Sequence, residues 1–382
     1  MSKRLPGTPP VLAGHSYVRP LGVGGFADVF LFEQDMPRRS VAVKVLLQSV
    51  VDAEVLRMFN AEADVLARLS AHPSILTVFD ASISADGRPY IVMEYCPGSF
   101  SARYRSEYIP VAEVLAVGVK VASALETAHR AGLLHRDIKP SNLLVNTFGT
   151  PVLGDFGIAA SVASVSGGDN FAMSIPWSAP EVVENRVSGS AATEIWGLGS
   201  TLYTLLAGRT PFEVEGAGRN SAEQLTARIS RARYSPIPRQ DVPELLQRLL
   251  ARTMERDPSK RQSSMLELAQ ELQYVQQQLG VMPTALEVAA DGWNSASDEV
   301  DFNNTQMRGP VISTVQHDSK RNRTPKATPI ARTATDDATI FGPAGPAPKK
   351  SNAVLAIAIV AGVVAVLAIA TVVAVVVISG MQ

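Results

Sequence analysis

The sequence predicts an α+β fold with two lobes, a small β-rich lobe followed by a larger helical lobe, and a further apolar helix near the C-terminus. Before residue 110, short runs of β-branched and aromatic residues are separated by turns, a pattern typical of strands. After residue 110, apolar residues recur mostly at helical spacing up to residue 279. Residues 353–378 are almost entirely apolar and carry no charged side chain.

The first lobe is predicted to contain five strands and one helix. The strands are predicted at Tyr17–Leu21, Val29–Phe32, Val41–Leu46, Leu76–Ala81 and Tyr90–Glu94. Residues 52–69 are predicted to be helical because apolar residues form one stripe at helical spacing, namely Val55, Phe59, Leu66 and Leu69. The second lobe is predicted to contain helices at 111–131, 193–207, 221–232, 241–253 and 263–279.

The composition divides the chain into five segments. An arm with Pro and Gly is expected to be loose, a globular domain follows, and a third segment rich in Asp, Asn, Thr, Pro and Lys has linker composition. The apolar helix and a short tail complete the chain. The predicted bounds are 1–14 for the arm, 15–280 for the domain, 281–350 for the linker, 353–378 for the helix and 379–382 for an extracytoplasmic tail.

Charge and cysteine content exclude some classes of function. The 382 residues include 35 Lys and Arg against 36 Asp and Glu, a formal net charge of −1. A general nucleic-acid binder would show a basic excess, so no nucleic acid is expected as a partner. The single cysteine, Cys96, cannot form an intramolecular disulfide, which favours a reducing compartment.

The apolar segment at 353–378 predicts a membrane span. As a helix it would be about 39 Å long, more than the roughly 30 Å hydrocarbon core of a bilayer. Its length and its lack of a polar face disfavour the alternative, a buried core helix. Lys349 and Lys350 precede it, and the positive-inside bias places that side in the cytoplasm. We therefore expect a single-pass plasma-membrane protein whose globular domain is cytoplasmic.

Glycines lie between the first two predicted strands. The segment reads Leu21-Gly22-Val23-Gly24-Gly25-Phe26-Ala27-Asp28-Val29. Without a Cβ, glycine lets backbone N–H groups approach a phosphate closely. No Gly-Lys-Ser or Gly-Lys-Thr follows, so the segment is not a Walker loop. By itself the pattern also fits an ordinary hairpin turn.

Lys44 ends an alternating apolar strand and is expected to point inward with Ala42 and Leu46. A buried ammonium group needs an anionic partner. Glu62 lies on the apolar stripe of helix 52–69, where a solvated carboxylate would not be placed. We expect Lys44 to pair with Glu62; the alternative is a charge that reaches out to solvent.

A hairpin is predicted within residues 133–157. If Val145 pairs with Val152, an antiparallel hairpin places Asn142 and Asp155 side by side at its open end. Asn and Asp oxygens suit Mg²⁺, a hard cation that also keeps phosphate ligands. The hairpin therefore predicts a magnesium site.

Asp137 and Lys139 lie just upstream, as a proton acceptor and a cation on the same loop. Together these segments resemble a protein kinase, specifically the bacterial eukaryote-like (Hanks-type) serine/threonine kinases. The resemblance covers about residues 15–280. The further matching motifs are His135-Arg136-Asp137-Ile138-Lys139-Pro140-Ser141-Asn142, Asp155-Phe156-Gly157, Ala179-Pro180-Glu181, the hinge Met93-Glu94-Tyr95-Cys96, and Asp257-Pro258-Ser259-Lys260-Arg261, whose arginine is expected to pair with Glu181.

The resemblance implies ATP and Mg²⁺ (or Mn²⁺) as cofactors and proteins as substrates. The implied nucleotide-binding residues are Leu21, Gly22, Val23, Gly24, Phe26, Val29, Ala42, Lys44, Met93, Glu94, Cys96 and Leu144. The implied catalytic residues are Asp137, Lys139, Asn142, Lys44 and Glu62, and the implied metal ligands are Asn142 and Asp155. In the family the loop aspartate accepts the substrate hydroxyl proton and the lysine steadies the γ-phosphoryl group.

Three positions depart from the family pattern. Ala27 replaces the third loop glycine, and a small residue is expected to fit there. Glu194 replaces an Asp that braces the catalytic loop, and its extra methylene is expected to loosen the brace. Ser174 replaces a Thr and keeps the hydroxyl. No catalytic group is missing, so an active protein kinase is favoured over a pseudokinase scaffold that docks partners and over a small-molecule kinase.

Phosphorylation sites are expected in two segments. In the family the arginine at position 136 pairs with a phosphorylated activation-loop residue. The best candidates are Ser161, Ser164 and Ser166, phosphorylated in trans within a homodimer of membrane-anchored copies. In the linker, Thr333 begins a Thr-x-x-Asp pattern that resembles the phosphothreonine motif read by forkhead-associated domains. An ordinary linker threonine is the alternative.

Overall fold

Five antiparallel strands form the sheet of the first lobe. The structure is a computed structural model that describes residues 4–25, 27–51, 53–156, 174–216 and 218–289. The sheet order is β1-β2-β3-β5-β4. The strands are β1 (His15–Val23), β2 (Ala27–Gln34), β3 (Arg39–Leu46), β4 (Val78–Ile83) and β5 (Pro89–Glu94).

Four of the five predicted strands lie inside observed strands. The exception is β4, which begins two residues later than predicted. Ile75 and Leu76 explain the shift. The Leu76 N–H donates to the carbonyl of Leu153 at 3.0 Å, and Ile75 forms a parallel bridge to the same residue. This part of the chain therefore joins the second lobe before β4 starts.

One face of the sheet packs against helix α1 (Ala53–Leu69), and an apolar cluster formed mainly by strand residues covers the other face. The predicted helical stripe is confirmed, because Val55, Phe59, Leu66 and Leu69 are all buried. On the opposite face, alternate residues of β2, β3 and β5 form a cluster: Phe30, Phe32, Val41, Val43, Val45 and Val92.

The N-terminal arm is ordered over its described residues, 4–14, so the expectation of a loose arm is wrong there. Leu12 is buried in the cluster formed by β2, β3 and β5. The Arg4 guanidinium and the Gly7 N–H both contact the carboxylate of Asp28. One apolar anchor and one buried carboxylate thus fix the arm against the sheet.

The second lobe contains the predicted helices and a small sheet. Every predicted helix is confirmed to within three residues at each end. Strands β6 (Gly98–Ser99), β7 (Leu143–Val145) and β8 (Pro151–Leu153) form the sheet. The helices are α2 (Phe100–Arg103), α3 (Val111–Arg130), α4 (Pro180–Val183), α5 (Ala191–Ala207), α6 (Ala222–Ile229), α7 (Glu244–Thr253) and α8 (Met265–Gln278).

Helix α5 lies at the centre of this lobe. Trp196, Leu198, Leu202 and Tyr203 are almost fully buried. At Gly199, an added Cβ would lie 1.9 Å from the Thr253 hydroxyl oxygen. Helices α5 and α7 therefore approach each other at a distance that only glycine permits.

The chain continues along the second lobe after α8. Arg130 donates to the carbonyl of Ala289 at 3.1 Å, and His72 in the first lobe bonds the carbonyl of Glu287. Within the residues described, no helix combines the length and the apolar character that crossing a membrane requires. The predicted span at 353–378 lies outside those residues.

Candidate active site

The hairpin formed by β7 and β8 has a different register from the one predicted. Val145 pairs with Pro151, so the predicted pairing of Val145 with Val152 is wrong by one residue. Asn146 is the reason. Its N–H donates to the carbonyl of Thr150, and its side-chain oxygen accepts the Thr150 N–H, both at 3.0 Å. These bonds close the turn one residue earlier.

Asn142 and Asp155 nevertheless come to the same end of the hairpin. The Gly154 N–H donates to the carbonyl of Asn142 at 2.9 Å, and Asp155 is the next residue. Asp155 adopts φ of +57°, a left-handed conformation that is strained for a residue with a side chain. The backbone therefore turns sharply at the residue that the sequence assigns to the metal.

Lys44 is paired with Asp155. Its Nζ lies 2.7 Å from Asp155 Oδ1, and its side chain is 15% exposed. The Lys44 charge holds the pKa of Asp155 below its ordinary value. Glu62 lies in α1, but its side chain is outside the described part of the molecule. Its pairing with Lys44 therefore stays a prediction.

Asp137 is surrounded by hydrogen-bond donors. Lys139 Nζ lies 2.6 Å from its Oδ2, Ser174 Oγ lies 2.7 Å from its Oδ1, and Asn142 Nδ2 lies 3.1 Å from its Oδ2. Burial acts to raise the pKa of Asp137, but the Lys139 charge and these hydrogen bonds together hold it below its ordinary value. Asp137 is therefore ionised at neutral pH and can accept a proton.

Ser174 belongs to the site, although it was not among the predicted site residues. Its hydroxyl donates to Asp137 and accepts a hydrogen bond from Lys139 Nζ at 2.8 Å. The retained hydroxyl at a position where the family pattern has Thr was the available signal. Ser174 fixes the relative positions of the carboxylate and the ammonium group.

The side chain of His135 is neutral and holds the catalytic loop in place. Its Nδ1 accepts the Asp137 N–H at 3.2 Å, so its Nε2 carries the proton and donates to the carbonyl of Gly154 at 2.9 Å. Burial lowers the pKa of His135, which favours the same neutral state. Its ring also packs on Phe156, with centroids 4.6 Å apart. One imidazole thus connects the Asp137 loop to the segment that carries Asp155.

Glu194 braces the catalytic loop, so the expectation that it loosens the brace is wrong. Its Oε1 accepts the Arg136 N–H at 2.6 Å, and its Oε2 lies 2.6 Å from His129 Nε2. One buried carboxylate thus contacts both groups. Arg136 has φ of +65°, so the brace holds a strained backbone just before Asp137.

The predicted pair of Glu181 and Arg261 is confirmed. Two parallel hydrogen bonds of 2.7 and 2.9 Å join the buried side chains. Arg261 also donates to the carbonyls of Glu255 and Ala192, each at 2.8 Å. The residues after Ser174 are therefore tied firmly to the helical lobe.

Six of the predicted nucleotide-binding residues meet in one apolar cluster between the two sheets. Ala42, Met93, Leu76 and Val152 form its buried part, and Leu21, Val29, Cys96 and Leu144 pack against it. Leu76 and Val152 were not predicted, because they lie outside the recognised motifs. Burial, helped by the Glu94 charge, raises the pKa of the Cys96 thiol to about 12. Cys96 is therefore an apolar wall residue rather than a nucleophile.

The glycine-rich loop forms a tight turn beside this cluster. Gly22 pairs with Val29 across β1 and β2, and Val23 is exposed. The Gly24 N–H donates to the carbonyl of Ala27 at 2.9 Å. Ala27 is buried, so a small residue fits there as expected. Phe26 lies outside the described part of the loop.

The donor set fits a hard divalent cation. Asn142 Nδ2 donates to the carbonyl of Asp137 at 2.7 Å, which fixes the orientation of the amide. Its Oδ1 then receives only a 3.3 Å contact from Ser141. With Asp155 this gives two oxygen donors, and Mg²⁺ commonly completes such a set with phosphate oxygens and water. Within the residues described, no larger group of potential metal ligands occurs.

A small, partly open cleft adjoins Asp137. Its lining includes Ile138, Ser174, Trp177 and Val182. The predicted phosphorylation sites Ser161, Ser164, Ser166 and Thr333 lie outside the described residues.

A two-lobed fold with this arrangement of loops defines the class of protein kinases. The family model of the protein kinase domain matches residues 15–275. The chain belongs to this family, and the predicted resemblance to bacterial serine/threonine kinases is confirmed.

Named relatives agree with that assignment. The chain is 35% identical over 316 residues to serine/threonine-protein kinase PknK of Mycobacterium tuberculosis, covering 79% of this chain and 28% of that protein. It is 32% identical over 253 residues to serine/threonine-protein kinase PrkC of Bacillus subtilis, covering 65% of this chain and 38% of that protein. The chain thus spans well under half the length of these relatives.

Proposed function

We propose that the protein is a serine/threonine protein kinase that transfers the γ-phosphoryl group of ATP to Ser or Thr hydroxyls of proteins, itself included. The observation that carries this proposal is the ionised carboxylate of Asp137, held between Lys139 and Ser174. Lysine two residues after the aspartate is the serine/threonine pattern of the family. The names of the bacterial relatives support the same substrate class.

Asp137 orients the substrate hydroxyl and accepts its proton. The hydroxyl oxygen forms a bond to the γ-phosphorus while the bond to the β–γ bridging oxygen breaks and ADP leaves. Lys139, 2.6 Å from Asp137, supplies positive charge next to the transferring group. Ser174 keeps both side chains in place during the transfer.

Asn142 and Asp155 would hold Mg²⁺, with Mn²⁺ as the alternative. The bound ion would offset the negative charge of the phosphates. Lys44, which forms an ion pair with Asp155, would contact the α- and β-phosphates. The apolar cluster around Ala42 and Met93 receives the adenine ring.

A protein substrate would dock next to the small cleft beside Asp137. This cleft opens directly next to the proton acceptor, and Trp177 and Val182 give it apolar walls. The buried pair of Glu181 and Arg261 stabilises the segment that forms one side of it. These features favour protein substrates over small molecules.

We also propose that residues 353–378 anchor the kinase in the plasma membrane, with the kinase domain in the cytoplasm. The uncharged run and the two lysines before it support this assignment. Recovery of the full chain in the soluble fraction of lysed cells, without detergent, would contradict it.

We propose two phosphorylation events. In the first, one copy of the kinase phosphorylates Ser161, Ser164 or Ser166 of another copy. In the second, phosphorylated Thr333 recruits a forkhead-associated domain. The exposed Arg136 and the Thr-x-x-Asp pattern support them. Phosphopeptide mapping of the active enzyme tests the first proposal, and an unmodified loop would overturn it. A pull-down that does not depend on Thr333→Ala would overturn the second.

The central experiment incubates the full chain with γ-labelled ATP, Mg²⁺ and a general protein substrate. We expect label on Ser and Thr in the wild type and loss of label in Lys44→Ala. The control Lys260→Ala, which removes an exposed lysine distant from Lys44 in the sequence, should be labelled like the wild type. ATP binding without transfer, in a folded protein, would contradict the proposal and favour a scaffold that docks partners.

A further inference from the structure

A buried carboxylate lies in the glycine-rich loop segment. The Asp28 side chain is 2% exposed. Asp28 pairs with Val23 on one side and with Val45 on the other, so it lies in β2 between β1 and β3. A carboxylate at such a position must have hydrogen-bonding or charged partners, because its burial is otherwise strongly unfavourable.

The N-terminal arm supplies the partners that the structure gives Asp28. The Arg4 guanidinium contacts both carboxylate oxygens, and the Gly7 N–H donates to Oδ2 at 2.8 Å. A Cβ at Gly7 would lie 3.2 Å from the same oxygen. The arm is thus shaped around this carboxylate.

Arg4 also joins the two sides of the loop. The nitrogen that contacts Asp28 Oδ1 lies 3.3 Å from the carbonyl oxygen of Gly24 and donates to it. Gly24 precedes the tip of the loop and Asp28 follows it. One guanidinium therefore holds the entry and the exit of the loop together from outside the sheet.

The arm is anchored well enough to bear this role. The Leu12 side chain is buried in the cluster of β2, β3 and β5. Arg88, in the turn between β4 and β5, donates to the carbonyl of Thr8 at 3.0 Å. The arm is therefore attached to the first lobe at two further points, and Arg4 is not the end of a free tail.

We propose that Arg4 is a positioning residue for ATP, which sets the glycine-rich loop over the phosphates through Asp28 and Gly24. This proposal rests on the proposed function, since it takes ATP as the ligand of the loop. A loop already held in its binding conformation loses less conformational freedom when ATP binds, which strengthens binding. Arg4 touches none of the reacting groups, so its effect falls on ATP affinity and not on the transfer step.

The test measures the dissociation constant of the non-hydrolysable analogue AMP-PNP with Mg²⁺, and the KM for ATP and kcat, on the full chain. We expect Arg4→Ala to weaken analogue binding and raise KM about tenfold, with kcat within about twofold of wild type, because pre-organisation is lost. Arg4→Lys should restore part of the affinity, since it keeps the charge. Arg38→Ala, which removes an exposed ion pair with Glu33, is the matched control and should leave both constants unchanged.

Unchanged analogue binding in a folded Arg4→Ala protein would overturn the proposal, and so would a fall in kcat at unchanged KM. Arg4→Ala removes the charge that faces the buried Asp28 carboxylate, so the thermal unfolding midpoint of the variant is measured first. If Arg4→Ala does not fold, Arg4→Lys, which keeps the charge, carries the comparison and should still bind the analogue more weakly than the wild type does. If the wild type transfers no phosphate, the binding constants still decide the role of Arg4. Absence of analogue binding by the wild type would overturn this proposal together with the proposed function.

Discussion

Two loops of this kinase domain are each held by one buried carboxylate, but the two carboxylates have different kinds of partner. Asp28 holds the glycine-rich loop through an exposed arginine of the N-terminal arm. Glu194 holds the catalytic loop through the Arg136 N–H and through His129, which lies at the end of α3 inside the helical lobe. The partner side chain is 43% exposed in the first brace and 12% exposed in the second.

The location of each brace determines what its loss should change. Loss of the Arg4 contact is expected to free the glycine-rich loop and to leave the catalytic groups of the helical lobe in place. Release of Glu194 leaves a strained backbone unsupported immediately before Asp137. We therefore expect loss of the first brace to lower mainly ATP affinity and loss of the second to lower mainly the transfer rate.

The largest effect is expected at the proton acceptor itself. Asp137→Asn keeps the shape of the side chain but removes the base, so kcat should fall about a thousandfold, within the range for general-base removal. Steady-state assays with saturating ATP measure this, and a matched titration should show AMP-PNP binding within about threefold of wild type. Loss of analogue binding in a folded variant would break the separation between the two loops.

A smaller effect is expected at Glu194. In Glu194→Gln only one oxygen remains to accept hydrogen bonds, so either Arg136 or His129 loses its partner, and kcat should fall about thirtyfold with little change in ATP KM. Glu194→Asp sharpens the comparison, because the shorter side chain cannot span both groups. Equal activity of Glu194→Asp and the wild type would show that the extra methylene is not needed here.

Ser174 should give an effect of about tenfold on kcat. Ser174→Ala removes the hydroxyl that joins Asp137 to Lys139. Asp137 and Lys139 each lose one hydrogen bond as a result. Ser174→Thr keeps the hydroxyl and should retain most of the activity. A Ser174→Ala enzyme as active as Ser174→Thr would exclude a positioning role for this hydroxyl.

The pH dependence of stability should be the smallest effect. Burial lowers the pKa of His135 in the second lobe and of His72 in the first, from an ordinary value of 6.5. Below pH 6.5 the unfolded chain takes up protons that the folded one resists, so the stability from these groups is full above pH 6.5 and declines as pH falls through their folded-state values. Urea unfolding at pH 7.5 and 5.5 should show the decline. His72→Gln should reduce it, and an unaltered pH dependence in this variant would remove His72 from the explanation.

The sequence predicted most elements because periodic burial determines them. The stripe of Val55, Phe59, Leu66 and Leu69 located α1, and short motifs located Asp137, Asn142 and Asp155. The register of the β7–β8 hairpin was missed, because a side-chain turn at Asn146 shortened the loop by one residue.

The two braces could not be predicted from sequence patterns. The contact of Arg4 with Asp28 joins two segments that share no periodicity, and nothing in the arm marks it as packed. The reach of Glu194 depends on the distance between α3 and the catalytic loop, which only the folded lobe specifies. Both depend on the length of a side chain across a gap between elements.

The most direct test compares Arg4→Ala and Glu194→Gln in one phosphoryl-transfer assay, first at limiting and then at saturating ATP. We expect both variants to be slow at limiting ATP. Saturating ATP should restore Arg4→Ala to about the wild-type rate, whereas Glu194→Gln should remain slow. Recovery of both variants, or of neither, would contradict the separation between the loop that holds ATP and the loop that transfers phosphate.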